Sequence, residues 1–310
     1  MGRQAIKNAF VPLPILRGVA PSYLWLPQGS WPGMLNLLVE RFPEVSEAAW
    51  RDRMARAQVV DGAGVPLAPD SAVLPGTRIW YYRELDAETP IPFEERVLFQ
   101  DAHLVVVDKP HFLPMAPAGR FLHETLLVRL KHALGLPDLV PIHRLDRETA
   151  GVVLFSSNFD SRGAYQSLFQ KRRISKVYEA LAPPLAQLDY PHVHRSRMVE
   201  ADEFFRMQEV EGEPNSETIV EMIEMRGELA LYRLRPHTGR KHQLRVHMAS
   251  LGAPIVNDAF YPVAQPCKGD DFTRPLQLLA RSIAFVDPFT GQPRQFDSER
   301  RLEGDSHSSV

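Results

Sequence analysis

Residues 142–151, IHRLDRETAG, combine the side-chain types that chemistry on a substrate requires. The segment holds a histidine, two arginines and two carboxylates ahead of Gly151. The apolar run 152–155, VVLF, follows directly and is typical of a buried strand. A charged segment that is anchored to a core strand can hold a reactive side chain rigidly. We therefore expect a reactive side chain at this position.

Three histidines, His237, His242 and His247, recur every five residues and suggest a zinc site or a metal hydrolase. Five residues of helix turn through about 500°, so successive histidines would diverge by roughly 140°. On a strand, adjacent members of the set would face opposite sides. The turn expected at Gly239 separates them further. Backbone hydrogen bonding or RNA contact is the favoured interpretation, and no metal is expected.

Two further side chains are candidates for a site. Arg245 follows Leu244, which helical spacing directs inwards, so its guanidinium should lie at the edge of the buried face and need an anionic partner. Asp146 is one candidate, although spacing does not decide it, and the basic run ending at Arg245 could also be a solvated helix face. Tyr178 alternates with Lys176 on one strand face and could pack on the core or face a cleft.

The composition limits the class of protein. The chain has 310 residues, of which 44% are hydrophobic, so it can bury a sizeable core. Its single cysteine, Cys267, excludes an internal disulfide and a multi-cysteine zinc site. No apolar stretch reaches the length of a membrane span, and the N-terminus lacks the apolar region of a signal peptide. We expect a cytoplasmic protein.

The charge is unevenly distributed, although the net charge is only −2. Residues 233–247 hold five basic side chains, three histidines and no acid, whereas residues 199–228 hold ten acids and two arginines. Local patches decide where a polyanion binds. This pattern permits RNA binding without requiring it. No phosphate-cradling motif follows Gly151 or Gly239, so no nucleotide cofactor is indicated.

Periodicity and turn signals divide the chain into four parts. Residues 1–30 are rich in Pro and Gly and are expected to form an irregular arm. Residues 31–86 predict two helices and a small sheet, and residues 88–94, with two prolines, predict a linker. Residues 95–297 alternate predicted strands with helices at 122–134, 160–173 and 241–251. The polar residues 298–310 predict a disordered tail.

Three ordered motifs resemble those of the RluA-type RNA pseudouridine synthases. The motifs are HRLD at 143–146 with TAG at 149–151, KVY at 176–178, and TGRKHQLRVH at 238–247 followed by Gly252, PI at 254–255 and ND at 257–258. The likeness covers about residues 95–297. The departures are Ala150 for a usual Ser, Leu279 for a frequent His, and Asn257 and Pro262 for common glycines, which puts only fine geometry and substrate choice in doubt.

The resemblance implies an α+β fold whose catalytic domain has a mixed, largely antiparallel central sheet flanked by helices. Residues 31–86 look like the small alpha-L RNA-binding module that is fused to many members. The implied reaction is the isomerisation of specific uridines in structured RNA to pseudouridine, without a cofactor. Asp146 would be the covalent nucleophile, on the ribose or the base. Arg245 would pair with Asp146, and Tyr178 would lie against the uracil and take part in proton transfer.

The resemblance also implies an RNA-binding surface around the site. Arg144 would fill the stack that the flipped uridine vacates, and Leu278 would form an apolar floor beneath the base. The remaining residues expected to bind substrate are His143, Lys171, Arg172, Arg173, Lys176, Arg240, Lys241 and His242. Large-subunit ribosomal RNA is the favoured target and tRNA the next, with the protein acting as a monomer. The alternative is a catalytically inert RNA-binding or chaperone protein on the same fold.

Overall fold

A computed structural model describes residues 11–85, 87–203, 205–265 and 271–303. Its contacts divide the chain into two compact units, Met1–Glu88 and Thr89–Val310. The first unit thus takes in both the expected arm and the expected module, and the second begins before residue 95.

The N-terminal unit packs two helices on one face of a small sheet. Its core includes Leu38, Trp50 and Ile79, each at most 1% exposed. The Oγ of Ser46 caps the second helix by accepting a hydrogen bond from the backbone N–H of Ala49. The three-stranded antiparallel sheet has the order β1-β3-β2. The elements are β1 (Ser22–Trp25), α1 (Met34–Arg41), α2 (Glu47–Ala55), β2 (Val59–Val60) and β3 (Arg78–Tyr81).

The expectation of an irregular arm up to residue 30 is wrong for β1. This strand pairs with β3 over its whole length, with Tyr23 opposite Trp80. Leu24 points towards the core, whereas Tyr23 and Trp25 on either side are exposed. Such a short alternation carries little signal between Pro- and Gly-rich flanks, because the strand is stabilised by a partner more than 50 residues away. Residues 1–10 lie outside the described part of the chain.

The second unit is built on one large sheet. Its described strands follow the order β10-β9-β11-β12-β8-β13-β7-β5-β4, with β14 paired to β13 and β6 to β7. The pairing of β7 with β13 is parallel, and the other described pairings are antiparallel. The predicted α+β class with a largely antiparallel sheet is confirmed. The elements are β4 (Arg96–Gln100), β5 (Leu104–Lys109), α3 (Leu126–Leu134), β6 (Val140–Pro141), β7 (Ala150–Ser156), α4 (Phe159–Gln170), β8 (Ile174–Ala182), β9 (His192–Glu200), β10 (Met207–Val210), β11 (Ser216–Arg226), β12 (Leu229–Pro236), α5 (Gln243–Ser250), β13 (Leu278–Val286) and β14 (Pro293–Asp297).

Side-chain caps fix the first residues of α3 and α4, so that α3 begins four residues later than predicted, at Leu126, and α4 one residue earlier, at Phe159. Thr125 caps α3 by accepting from the N–H of Val128, and Asn158 caps α4 by accepting from that of Ser161. Gly135, with φ of 64°, ends α3 where the sequence predicts. No helix among the described residues is long and apolar enough to cross a bilayer.

The tail is ordered over its described part, so the expectation of disorder from residue 298 is wrong up to residue 303. The Oγ of Ser298 donates to Asp108 at 2.8 Å, and Leu302 is 2% exposed in a core cluster with Leu279. The buried Asp108 needs hydrogen-bond donors, and the polar tail supplies them. Residues 304–310 lie outside the described part. Within the expected linker, Ile91 is buried and its N–H donates to Glu124.

Gly151 is the second residue of β7. It pairs with Ala280 on the parallel strand β13, and its φ is 113°. A Cβ added there would lie 2.3 Å from the carbonyl oxygen of Ala280, which is closer than real contacts allow. Glycine is required at this position because two backbones meet directly behind the charged segment.

Replacing Gly151 with Ala should lower the free energy of unfolding by more than about 1 kcal/mol, because the new methyl group meets backbone and φ is positive. Urea unfolding of the purified variant measures the change. Gly163→Ala is the matched control, since a Cβ there meets nothing within 4 Å in α4. The control should be neutral or stabilised by up to about 1 kcal/mol. Equal midpoints for both variants would contradict the close approach of β7 and β13.

Candidate active site

The three motifs meet at one cavity of about 350 Å³ in the second unit. This volume falls within the range of roughly 300–1,000 Å³ that is usual for ligand sites. Residues that are distant in sequence share its wall, including Asp146, Tyr178, Arg245 and Leu278. Thr149 of the first motif also lines the cavity, as do Phe169 and Pro236, which sequence reasoning did not select. The charged segment therefore forms one side of a pocket that other strands complete.

A buried lysine, Lys109, stabilises the loop that carries Asp146 through hydrogen bonds to backbone oxygens. Lys109 is 0% exposed, and its Nζ donates to the backbone oxygens of Pro110, Leu113 and Arg147 at 2.9, 2.9 and 3.0 Å. Burial lowers the pKa of Lys109 to about 7. A lysine side chain can donate to all three carbonyl oxygens at once only as an ammonium, which has three N–H donors. These contacts therefore favour the charged form of Lys109. Lys109 joins the end of β5 to the residue after Asp146.

Arg245 lies between two carboxylates. Its side chain is 2% exposed, and its Nε and Nη2 each donate to Asp258 at 2.7 Å. Its Nη1 donates to the Oδ2 of Asp146 at 3.1 Å. The rings of Phe260 and Tyr261 lie 4.9 and 5.4 Å from the guanidinium carbon. The structure thus brings together Arg245 and Asp146, which sequence spacing could not decide, and it buries Arg245 more deeply than the expected edge position.

The environment keeps Asp146 ionised. Burial is the largest single effect and acts to raise the pKa of Asp146, but the charge of Arg245, its hydrogen bond and the neighbouring basic side chains together outweigh it, so the pKa lies below its ordinary value. The side chain is still 24% exposed, so an incoming substrate can reach it. A carboxylate that is accessible, charged and fixed in direction has the properties of a nucleophile or an electrostatic stabiliser.

His242 faces Asp146. Its Nε2 lies 3.8 Å from the Oδ1 of Asp146, and its Nδ1 shares a hydrogen bond with the hydroxyl of Tyr261 at 2.9 Å. Burial lowers the pKa of His242 to about 4, so the imidazole is neutral near pH 7. The residue was expected to contact substrate, and the structure places it in the wall next to the carboxylate.

Tyr178 enters the cavity from β8, between Leu234 of β12 and Ala280 of β13. Burial, and then the charge of Asp146, raises the pKa of Tyr178, so the phenol stays protonated at neutral pH. Two residues earlier, the Nζ of Lys176 donates to the backbone oxygen of Thr238 at 3.3 Å. Leu278, 3% exposed, adds an apolar surface beside them. Tyr178 and Lys176 therefore share the cavity side of one strand.

The other residues expected to bind substrate lie beneath the loop, at the rim of the cavity or outside it. The Nε2 of His143 accepts from the N–H of Leu154 at 3.1 Å, and its ring stacks on Phe169. Because burial also lowers the pKa of His143 to about 3, this residue supports the loop as a neutral side chain. Arg144 is exposed at the rim and makes no ion pair with the described residues. Arg240 and Lys241 are also exposed at the rim.

Lys171, Arg172 and Arg173 follow the last residue of α4 and are exposed. They are not among the residues that line the cavity. The structure therefore does not bring these three cations to the same pocket as Asp146, and a contact with RNA there would lie outside it.

The three regularly spaced histidines do not share a centre. The Nδ1 of His237 lies 3.2 Å from Glu217, and the buried His247 contacts Thr218 at 2.9 Å through its Nδ1. The ligand atoms of His247 instead lie within 4.8 Å of those of His194 and Glu209. This group comes from β9, β10 and α5, so spacing along the chain could not have found it.

Comparison with known proteins agrees with the geometry. A family model described as RNA pseudouridylate synthase matches residues 103–250. The dual-specificity RNA pseudouridine synthase RluA of Vibrio vulnificus is 33% identical over 204 residues, which cover 62% of this chain and 78% of that protein. The tRNA pseudouridine(31) synthase of Saccharomyces cerevisiae is 27% identical over 288 residues, covering 76% of this chain and 68% of that protein.

A solved structure shows the same similarity. Human RNA pseudouridylate synthase domain containing 4 superposes with a TM-score of 0.51 at 27% sequence identity. The match covers 66% of this chain and 88% of that one. The fold and the order of the motifs therefore point to the same family.

Asp258→Asn should destabilise the second unit by about 3 kcal/mol, because it leaves the buried Arg245 without half of its paired charge. Chemical denaturation measures the loss. Arg195→Gln is the control, since it breaks a pair with Glu217 in which the arginine is 59% exposed. The control should cost less than about 1 kcal/mol. A similar small cost for both variants would show that Arg245 does not depend on Asp258.

Proposed function

The chain belongs to the RNA pseudouridine synthase family, and we propose that it isomerises specific uridines in structured RNA with Asp146 as the covalent nucleophile. The observation that carries this proposal is the ion pair between Arg245 and an ionised, accessible Asp146 in a cavity that Tyr178 also lines. The inert RNA-binding alternative has no support from the site, because these three side chains are intact and adjoin one cavity.

The proposed reaction is balanced without any other reactant. The carboxylate of Asp146 attacks an electrophilic carbon of the bound nucleotide, and the glycosidic bond between N1 and the ribose C1′ breaks. The uracil turns within the cavity, C5 bonds to C1′, and Asp146 is released. The proton leaves C5, and N1 ends protonated. The product is an isomer of the substrate. The side chains of the cavity therefore need only bind the nucleotide, orient the base and transfer a proton.

Tyr178 and Leu278 are proposed to hold the base while it turns. Leu278 offers an apolar surface, and the ring of Tyr178 lies on the same side of the cavity. Because its pKa is raised, Tyr178 begins the reaction as a phenol. We therefore assign it proton transfer through its hydroxyl group at C5, and not the role of a resting phenolate base.

The rim is proposed to bind the RNA strand around the flipped uridine. Extruding a base from a helix costs a few kcal/mol, which contacts with the opened strand can offset. Arg144 is exposed beside Asp146 without an ion pair among the described residues, so it can occupy the vacated stack. We assign phosphate contacts to Arg240 and Lys241, which are exposed at the rim of the cavity. Lys171, Arg172 and Arg173 would extend this contact outside the cavity.

We favour large-subunit ribosomal RNA as the substrate and tRNA as the second candidate. The N-terminal unit, with its resemblance to an alpha-L module, supports the first choice. The yeast relative named as a tRNA pseudouridine synthase supports the second. Mapping pseudouridines in total RNA from cells with and without the gene decides between them. We expect that cells without the gene lack a pseudouridine in ribosomal RNA alone. Loss of a pseudouridine in tRNA alone would make tRNA the favoured substrate instead.

Asp146→Asn should abolish pseudouridine formation, because the amide keeps the shape of the side chain and loses the nucleophilic charge. The measurement is pseudouridine in RNA treated with the purified variant at saturating concentration, with RNA affinity determined in parallel. Asp189→Asn, an exposed position in a loop, is the control and should keep wild-type turnover. A turnover by Asp146→Asn within about tenfold of wild type would exclude Asp146 as the nucleophile.

Tyr178→Phe should lower kcat by about 10²–10⁴-fold with little change in KM, because it removes the hydroxyl and keeps the ring. Single-turnover kinetics on the mapped RNA measures the rate. Tyr190→Phe, which deletes only a hydroxyl that donates to the backbone of Leu185, is the matched control. If both variants turn over like the wild type, Tyr178 acts by packing alone.

A further inference from the structure

We propose that the outer face of the N-terminal sheet binds single-stranded RNA. This aromatic face consists of Tyr23 and Trp25 on β1 with Arg78 and Trp80 on β3. The inference rests on the proposed function for the choice of RNA as the polymer, and it concerns a surface within the N-terminal unit and not the catalytic cavity.

The geometry of the aromatic face follows from the strand register. Tyr23 lies opposite Trp80 and Trp25 lies opposite Arg78, so all four side chains project to one side of the sheet. The rings of Tyr23 and Trp80 are 5.2 Å apart. The guanidinium carbon of Arg78 lies 5.2, 5.2 and 4.6 Å from the ring centroids of Tyr23, Trp25 and Trp80. A planar cation is thus surrounded by aromatic rings.

Folding of the unit does not explain the exposure of this face. The opposite side of the same strands carries Leu24 and Ile79, which pack in the core with Trp50. On the outer side, Tyr23 is 54% exposed and Trp25 is 57% exposed. Two large aromatic residues next to each other in solvent are unusual unless a partner covers them, because each carries a large apolar area.

The charge on this face distinguishes RNA from an apolar partner. Arg78 has no carboxylate within ion-pair distance among the described residues, so its charge is available to a phosphate. The arginines of the helical side are different, since Arg51, Arg53 and Arg56 pair with acids, chiefly Glu47 and Glu84. Neighbouring carboxylates therefore neutralise the charges of these three helix arginines. Arg78, in contrast, lies on the sheet among the rings.

Exposed rings beside an unpaired arginine suit single-stranded RNA. Bases stack on aromatic side chains without regard to sequence, and an arginine contacts the phosphates or stacks in turn. A duplex offers few exposed base faces, so the same surface should bind it less well. This face would capture an unpaired stretch of the RNA whose uridine the enzyme modifies.

The test uses the full chain and a fluorescein-labelled oligouridylate of about ten nucleotides, within the site sizes of single-strand-binding surfaces. Fluorescence anisotropy gives the Kd for this strand and for a duplex of equal length. The double variant Tyr23→Ser, Trp25→Ser should bind the single strand about 25-fold or more weakly, since it loses two stacking surfaces. Tyr23→Phe with Trp25→Phe keeps both rings and should bind nearly as well as the wild type.

Arg78→Gln should reduce the salt dependence of binding, with the slope of log Kd against log salt changing by about 0.7, because one phosphate contact is lost. Phe159→Ser is the control for both measurements. Phe159 is also 57% exposed and lies 5.3 Å from the guanidinium of Arg162, but it belongs to α4 in the other unit. This control should bind the single strand with wild-type affinity.

Wild-type affinity in the double serine variant would overturn the proposal, and so would an equal loss for single strand and duplex. A wild-type dimer that the double variant dissociates, with RNA affinity unchanged, would assign the face to a second copy of the chain instead. Pseudouridine formation by the wild type is followed separately. If it is absent while the oligouridylate result holds, the proposed function fails and the aromatic face stands.

Discussion

The site depends on a guanidinium that is buried between two carboxylates. A buried charge is costly without partners, and Arg245 donates an aligned pair of hydrogen bonds to Asp258 and a third to Asp146. Asp258 also accepts from the N–H groups of Phe260 and Tyr261, so it is fixed by its own loop. The direction of Asp146 is therefore set by a chain of contacts that begins in a distant segment.

The same burial gives neighbouring groups different protonation states. Asp146 stays charged because the charge and hydrogen bond of Arg245 act with the neighbouring basic side chains against burial, whereas His242 becomes neutral and Tyr178 keeps its proton. An accessible carboxylate paired with a buried guanidinium, beside a neutral imidazole and a protonated phenol, is suited to a reaction that forms and breaks a covalent bond to the carboxylate. Lys109 stabilises the loop that carries Asp146 by donating a hydrogen bond to the backbone oxygen of Arg147.

The sequence predicted the class of the fold and the residues that meet in the cavity, because motifs and apolar periodicity are local. Gly135 marks the end of a helix for the same reason. It could not predict features that depend on distant partners, such as β1, the ordered tail at Leu302 or the role of Asp258. Spacing argued against a shared centre for the three histidines, but it could not predict that His247 meets His194 and Glu209 from two distant strands.

Arg245 stabilises Asp146 as an anion in the resting enzyme. The most direct measurement is a pH titration of the Asp146 carboxyl carbon by ¹³C NMR, assigned by comparison with Asp146→Asn. We expect a pKa below the ordinary 3.8 for Asp146, and a shift to higher values in Arg245→Lys, where the aligned contacts are lost. A pKa at or above 3.8 in the wild type would contradict it, because the carboxyl group would then be governed by burial and not by the arginine.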